Sequence, residues 1–267
     1  MNLLSILVFI ALVMMTAPLS CLKEAAPTPT PPPQSPKLHT YRVANTFPHD
    51  SNAYTQGLVF EDGFLYEGTG RYGQSSLRKV DLETGEVLKM HDLPEQFFGE
   101  GITIFEDRII QLTLQSGTGF VYEKERFELL GEFGYRGEGW GLTHDGEQLI
   151  MSDGTSTLRF LNPETFEKTG EIDVHYKGEP VTKLNELEHI SGEVFANVFL
   201  TDRIARINPR TGEVVGWIEL KGLLNEENLS KPVDVLNGIA YNAQQEQLLV
   251  TGKLWPEVFE IELITVE

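Results

Sequence analysis

From His39 to the C-terminus, apolar and polar positions alternate in short runs: FLYEG, RIIQLT, TGFVYE, QLIMSD, TLRFLN, EVFANVF, IARINP and QLLVTG. Turn formers such as ETGE, PETFE and PRTGE separate them. A period of two bounded by Gly, Pro, Asp and Asn is the pattern of a β-strand, and no stretch between the runs is long and 3.6-periodic. The pattern predicts an all-β domain.

The runs also repeat. QGLVFEDGFLYEG, EGITIFEDRIIQL, WGLTHDGEQLIMS, NELEHISGEVFAN and NGIAYNAQQEQLLV share one order: a polar or aromatic residue, a glycine in four of the five, an aliphatic residue, a turn and an apolar strand. Their second positions are Gly57, Gly101, Gly141, Glu186 and Gly238, spaced by 44, 40, 45 and 52 residues. That spacing is one four-stranded propeller blade per repeat. Five repeats predict a five-bladed β-propeller of four-stranded blades. The last repeat has room for only three strands before Glu267, while HTYRVANTF, His39 to Phe47, has no blade of its own. The N-terminal strand is therefore expected to close the last blade and remove its open edge.

Upstream of this domain the composition changes. Residues 1–21 are an uncharged apolar stretch ending in small residues and Cys21, which reads as a signal peptide or lipoprotein leader. The run is short for a bilayer span, and Pro18 interrupts it, yet no Lys or Arg lies near Met1, so an uncleaved anchor stays open. Cys21 is the single cysteine, which excludes an intrachain disulfide and leaves a lipidated terminus or an incidental thiol. Residues 22–38 are a proline-rich linker, and 39–267 form the propeller domain. The chain is expected to be exported: periplasmic, extracellular or anchored at a membrane by its N-terminus.

Charge narrows the partners. With 21 Lys+Arg against 40 Asp+Glu, the net charge of -19 repels phosphate backbones, so nucleic acid is excluded as a partner. Membrane contact is expected only through an N-terminal lipid or leader, and the protein is expected to be a monomer.

In a propeller, equivalent positions of each repeat gather at one mouth of the central channel. The first repeat positions are Gln56, Glu100, Trp140, Asn185 and Asn237. A second ring, read from the end of the next strand, is Thr69, Leu114, Gly154, Phe199 and Lys253. One carboxylate, one cation, amides and aromatics would then face a common funnel, with the glycines letting a ligand approach the backbone. The plain alternative is a neutralising Glu100–Lys253 ion pair in a water-filled channel.

The segments YTQGL, FGEGIT, GEGWGLT, KLNELE, ANVF with TDRIARINP, LNGIAY and VTGKLWP resemble, in that order, those of the plant and bacterial glutamine cyclotransferases. The resemblance covers about residues 40 to 260. It implies a five-bladed propeller, the count already reached from the repeats. It also implies conversion of an N-terminal glutamine of peptides or proteins to pyroglutamate, with release of ammonia. By motif, Glu100 matches the family's catalytic carboxylate. Asn185 and Lys253 would assist it as donors, and Tyr54, Gln56, Phe98, Leu114, Trp140, Phe199, Asn237 and Trp255 would bind substrate.

Three positions depart from the family pattern: Leu114 and Phe199 stand where Trp is usual, and Tyr54 where Phe is common. Trp217, in GWIEL, is expected in a blade core. No cofactor and no metal are expected, because the sequence has no HExxH or Cys/His cluster. His144 and His189 are read as loop residues, His144 as part of a turn. Two other functions share the architecture: a noncatalytic propeller holding peptide termini, and a lactonase-like or sugar-binding propeller, which would want more channel carboxylates than one.

Overall fold

The computed structural model describes residues 36–225, 227, 229 and 231–266. The expected leader and linker residues 22–35 lie outside the described residues. The first strand, β1, runs Lys37–Pro48, so it begins two residues before the predicted domain boundary at His39.

Four-strand antiparallel runs follow one another along the chain. The first is β2 (Thr55–Glu61), β3 (Phe64–Thr69), β4 (Ser76–Asp81) and β5 (Val87–Asp92). The second is β6 (Gly99–Phe105), β7 (Arg108–Thr113), β8 (Thr118–Glu123) and β9 (Leu129–Gly134). The third is β10 (Leu142–His144), β11 (Leu149–Met151), β12 (Thr157–Leu161) and β13 (Lys168–Asp173). A hairpin that sequence periodicity did not indicate, β14 (His175–Tyr176) with β15 (Glu179–Pro180), precedes the fourth run.

That fourth run is β16 (Leu184–Ile190), β17 (Glu193–Val198), β18 (Arg203–Ile207) and β19 (Val214–Glu219). The last is β20 (Leu236–Asn242), β21 (Gln247–Gly252) and β22 (Glu257–Val266), with β1 as its outer strand. β1 pairs antiparallel with β22 from Leu38↔Val266 to Pro48↔Glu257. Its first residues, Lys37 to His39, also pair parallel with Gly216 to Ile218 of β19, which merges the last two runs into one eight-stranded sheet.

Burial grades outward within each run. Every residue of β6 is buried, whereas the outermost strands β5, β9 and β13 alternate between exposed and half-buried positions. The reason is the layering: first strands have sheet on both faces, outermost strands on one. Apolar side chains fill the space between consecutive runs. Leu77 and Tyr66 meet Ile102 and Phe120 between the first and second, and Phe47 and Val258 meet Leu65 and Val80 between the last and first. Trp217 is half-buried and sits edge-on to Tyr176 of the extra hairpin, 5.7 Å between centroids, so it packs against a neighbouring element rather than within its own sheet.

The first strands β2, β6, β10, β16 and β20 lie each against the next, and β20 lies against β2. The repeat glycines make this approach. A Cβ on Gly57 would collide with the backbone of Ile102, one on Gly101 with Trp140, and one on Gly141 with Asn185. The expectation that these glycines open the backbone to a ligand is thus corrected: they admit the neighbouring strand. The fourth repeat has Glu186 in that place. Its carboxyl reaches the backbone N–H groups of Leu58 (3.3 Å) and Ile239 (2.8 Å), joining β16 to β2 and β20.

Candidate active site

At the starts of the first strands, the ladder is broken by a bulge in four of the five runs. The register shifts fall between Thr55 and Gly57, Gly99 and Ile102, Leu184 and Leu187, and Leu236 and Ile239. Gln56, Glu100, Asn185 and Asn237 occupy these bulges. A bulge re-aims a side chain out of the sheet's alternation. This local device turns Gln56, Glu100 and Asn185, on otherwise apolar strands, toward a shared pocket.

The pocket is a cavity of about 180 Å³ lined by Gln56, Glu100, Asn185 and Lys253 among the aromatic and aliphatic walls. Those walls are Tyr54, Phe98, Leu114, Trp140 and Phe199. Nine of the eleven predicted site residues therefore come together. Asn237 and Trp255 do not line it. Asn237 is fully buried one layer behind, where its amide donates to the Thr55 carbonyl (3.0 Å) and to Gln56 Oε1 (3.3 Å). Trp255 is folded against Gly252, where a Cβ would strike its indole, and its Nε1–H donates to the Asp234 carbonyl at 2.8 Å.

Two members of the predicted second ring are also displaced. The N–H groups that bond the carbonyls two residues before Gln56, Glu100, Asn185 and Asn237 belong to Gly70, Leu114, Phe199 and Lys253. Thr69 is one residue out of that register, and its hydroxyl bonds Ser76 at 2.7 Å. Gly154 lies beneath the Trp140 ring, which a Cβ there would strike, so it supports the indole and leaves the pocket surface to it.

Glu100 is 2% exposed, and its Oε1 accepts a hydrogen bond from Gln56 Nε2 at 2.9 Å. Burial pushes its carboxyl well above the usual carboxylate range; the charge of Lys253 acts against this, and that of Glu138 adds to it. Burial likewise lowers the Lys253 ammonium below its ordinary value, opposed by Glu100 and Asp234. The Lys253 Nζ lies 4.9 Å from the Tyr54 ring centroid and 5.2 Å from that of Phe199. It is thus held by two π faces, within the field of Glu100 but outside salt-bridge contact with it. Trp140 stands edge-on to Phe199, 5.6 Å between centroids. The side-chain oxygen of Asn185 is buried without a hydrogen-bond partner among the described residues.

Two carboxylates at the pocket edge were missed in the sequence. Glu138 accepts from Trp140 Nε1 at 2.9 Å and from Gln115 Nε2 at 3.0 Å, fixing the indole. Asp234 accepts from the Tyr54 hydroxyl at 2.9 Å. Burial and that carboxylate push the Tyr54 phenol up to about 12. Glu138 stands two residues before Trp140 within GEGWGLT and was within reach of a motif reading; Asp234 gives no sequence signal.

His144 ends β10, with its Nδ1 accepting from Gly146 N–H in the following turn. His189 lies within β16, so both histidines belong to strands, correcting their placement in loops. Among the described residues, no three His, Cys, Asp or Glu side chains converge as a metal-ligand group.

Known proteins resemble this chain in sequence and in fold. The sequence model of the family described as glutamine cyclotransferase matches residues 11–263. A glutaminyl-peptide cyclotransferase of Arabidopsis thaliana is 43% identical over 235 residues, covering 86% of this chain and 73% of the plant protein. The crystal structure of Myxococcus xanthus glutaminyl cyclase superposes with a TM-score of 0.82 at 35% identity, over 87% of this chain and 100% of that one. By the extent of these matches, which span the pocket and nearly all of the strands that build it, the chain belongs to the glutamine cyclotransferase family.

Proposed function

We propose that this chain converts the N-terminal glutamine of peptides or proteins to pyroglutamate with release of ammonia, that Glu100 moves the proton, and that no metal takes part. The observation that carries the reading is a single buried carboxyl of raised pKa, held by the Gln56 amide inside a small, aromatic-walled pocket.

The reaction joins the substrate's α-nitrogen to its own side-chain carbonyl carbon and breaks that carbon's bond to the amide nitrogen. An α-ammonium has a pKa of about 8, so it must lose a proton before it attacks. That first proton goes to solvent; as the free amine attacks, the Glu100 carboxylate, made more basic by burial, takes the second proton from the nitrogen and gives it to the departing amide nitrogen, which leaves as ammonia instead of an amide anion. Glu100 ends as it began. Lys253 and Asn185 flank the same cavity and can donate to the carbonyl oxygen as it gains charge, each such donor being worth about 3–4 kcal/mol in a preorganised site. The aromatic walls exclude water and fix the side chain in its cyclising conformation. One carboxylate and no imidazole in the pocket favour this metal-free route over a zinc-assisted one.

The fold enters the same proposal. Five four-strand runs with their first strands in a ring support a five-bladed propeller in which β1 completes the last blade, and the pocket is one mouth of its channel. The apolar leader and proline-rich segment support export, with the propeller held off a surface. The test is ammonia release from a glutaminyl dipeptide amide, with and without a strong zinc chelator. Turnover that survives chelation is expected. Loss on chelation with recovery on zinc would overturn the metal-free mechanism, and no turnover by folded protein would favour a noncatalytic binder of peptide termini.

A further inference from the structure

The loop between β3 and β4 carries two side chains over the pocket that the cyclisation does not use. Arg71 has φ +91°, strained for a residue with a Cβ. Its carbonyl is pinned by Gln74 N–H (3.0 Å) and the Ser75 hydroxyl (2.8 Å), and Ser75 Oγ accepts from Gly99 N–H (2.9 Å), next to Glu100. The loop is therefore tied to the backbone that presents the catalytic carboxyl. Its strained turn sets the Arg71 guanidinium against the Tyr54 ring, 4.5 Å from the centroid. The next residue, Tyr72, is 55% exposed and stands edge-on to Phe98, 5.4 Å between centroids. Tyr54 and Phe98 are pocket walls, so Arg71 and Tyr72 continue those walls outward, where the chain of a bound peptide must leave.

Arg71 is half-buried, and among the described residues no carboxylate lies within salt-bridge distance of its guanidinium; Asp234, on the same tyrosine, is engaged by the hydroxyl. A planar fork of five donors with an open edge matches a carboxylate in two-point contact. The net charge of -19 repels acidic peptides at long range, so any preference for them must come from a local cation.

We propose that Arg71 and Tyr72 form the subsite for the residue following the N-terminal glutamine, and that Arg71 selects an acidic side chain there. The proposal rests on the reading of the pocket as a glutamine site. The test is kcat/KM of the full-length chain for Gln-Glu-amide, Gln-Gln-amide and Gln-Lys-amide at low and high salt, beside the free-acid dipeptides.

One exposed contact is worth about fivefold in water, and attraction of Glu multiplied by repulsion of Lys gives a ratio of up to about 25-fold at low salt, falling with added salt. Arg71→Leu should bring the ratio to about one, and Arg71→Glu should invert it. Equal turnover of the three amides by the wild type, or a ratio that survives Arg71→Leu, would overturn the subsite alone. A preference confined to free acids would assign Arg71 to a chain terminus and overturn selection by side chain. No turnover of any amide would overturn the glutamine reading and the subsite with it. The wild-type ratios decide even if a variant does not fold.

Discussion

The amide of Gln56 donates to the Glu100 carboxyl across 2.9 Å, and the amide of Asn237 donates in turn to the Gln56 oxygen across 3.3 Å. A neutral donor can hold a carboxyl in either protonation state, whereas a salt-bridging cation would hold it ionised. Gln56 can therefore keep Glu100 in place in either protonation state, as the proposed proton shuttle requires. Asn237 fixes which end of the Gln56 amide faces the carboxyl.

Replacing Glu100 with Gln should lower kcat by roughly 10²–10⁴-fold, the usual contribution of a positioned acid–base group. Size and a hydrogen-bonding oxygen are kept, and no ion pair is lost, so the melting temperature should stay near that of the wild type. Steady-state ammonia release and thermal melting measure the two halves. Retention of most activity would move proton transfer to another group.

Asn237→Ala should act through Gln56. It frees the Gln56 amide to rotate and leaves the Thr55 carbonyl without its donor, a buried loss of about 1–3 kcal/mol in stability. Turnover should fall about tenfold, with KM moving less than kcat, because the pocket surface itself is unchanged. A rise in KM with unchanged kcat would show Asn237 touching substrate directly.

Tyr54→Phe removes a hydroxyl bonded to Asp234, an exposed carboxylate that water can satisfy. The ring face toward Lys253 and Arg71 is retained. Activity should remain within about threefold of wild type and stability within about 1 kcal/mol. A large loss of turnover would show that the hydroxyl, and not the ring, serves the reaction.

Acid–base behaviour also reaches the far part of β16. Burial pushes the Glu188 carboxyl up to about 8, although it accepts hydrogen bonds from Tyr241 N–H and Thr143. A raised folded pKa means that stability is full below the unfolded value near 4.5 and is lost as pH rises toward 8. Glu188→Gln keeps the acceptor oxygen without the titration. Melting temperatures of the two proteins should converge near pH 4.5 and diverge as pH rises, the variant being the more stable at pH 8. Parallel curves would show that Glu188 ionises freely in the folded state.

Much of this was legible in the chain, and the exceptions have physical causes. Repeat spacing placed Gln56, Glu100, Trp140 and Asn185 at equivalent positions because side-chain period and repeat length both survive in sequence. The same alignment failed at Thr69, where pairing depends on backbone register that a one-residue slip leaves invisible, and Gly70 holds the equivalent place. Asn237 shares the bulge geometry of the others yet ends one layer deeper, a matter of side-chain direction that no repeat encodes. Trp255 follows Lys253 closely, but the turn between them sends the indole back onto Gly252. The outer strands β5, β9 and β13 gave weak signals because only one face of each is covered.

Leu114 and Phe199 replace the tryptophans usual in the family, and both line the cavity of about 180 Å³. Phe199 already presents an edge to Trp140 and a face toward the Lys253 ammonium. An indole in its place can keep both contacts and bring a larger face to the cation, so Phe199→Trp should strengthen the hold on Lys253 and raise kcat/KM. Leu114→Trp replaces the one aliphatic wall with an aromatic one. Each indole buries on the order of 150–250 Å² when fully covered, and even partial contact with a bound glutamine would add about 1 kcal/mol, several-fold in kcat/KM. The opposing effect is overpacking: in a cavity this small, two added rings can displace the substrate. Kinetics of the single and double variants separate the two. A gain in each single variant that is lost in the double marks a volume limit, and weaker binding in every variant with melting temperature retained means that neighbouring side chains already fill the space. If neither substitution changes kinetics or binding, the walls at 114 and 199 do not touch the reacting residue, and substrate sits deeper against Glu100 than the cavity outline suggests.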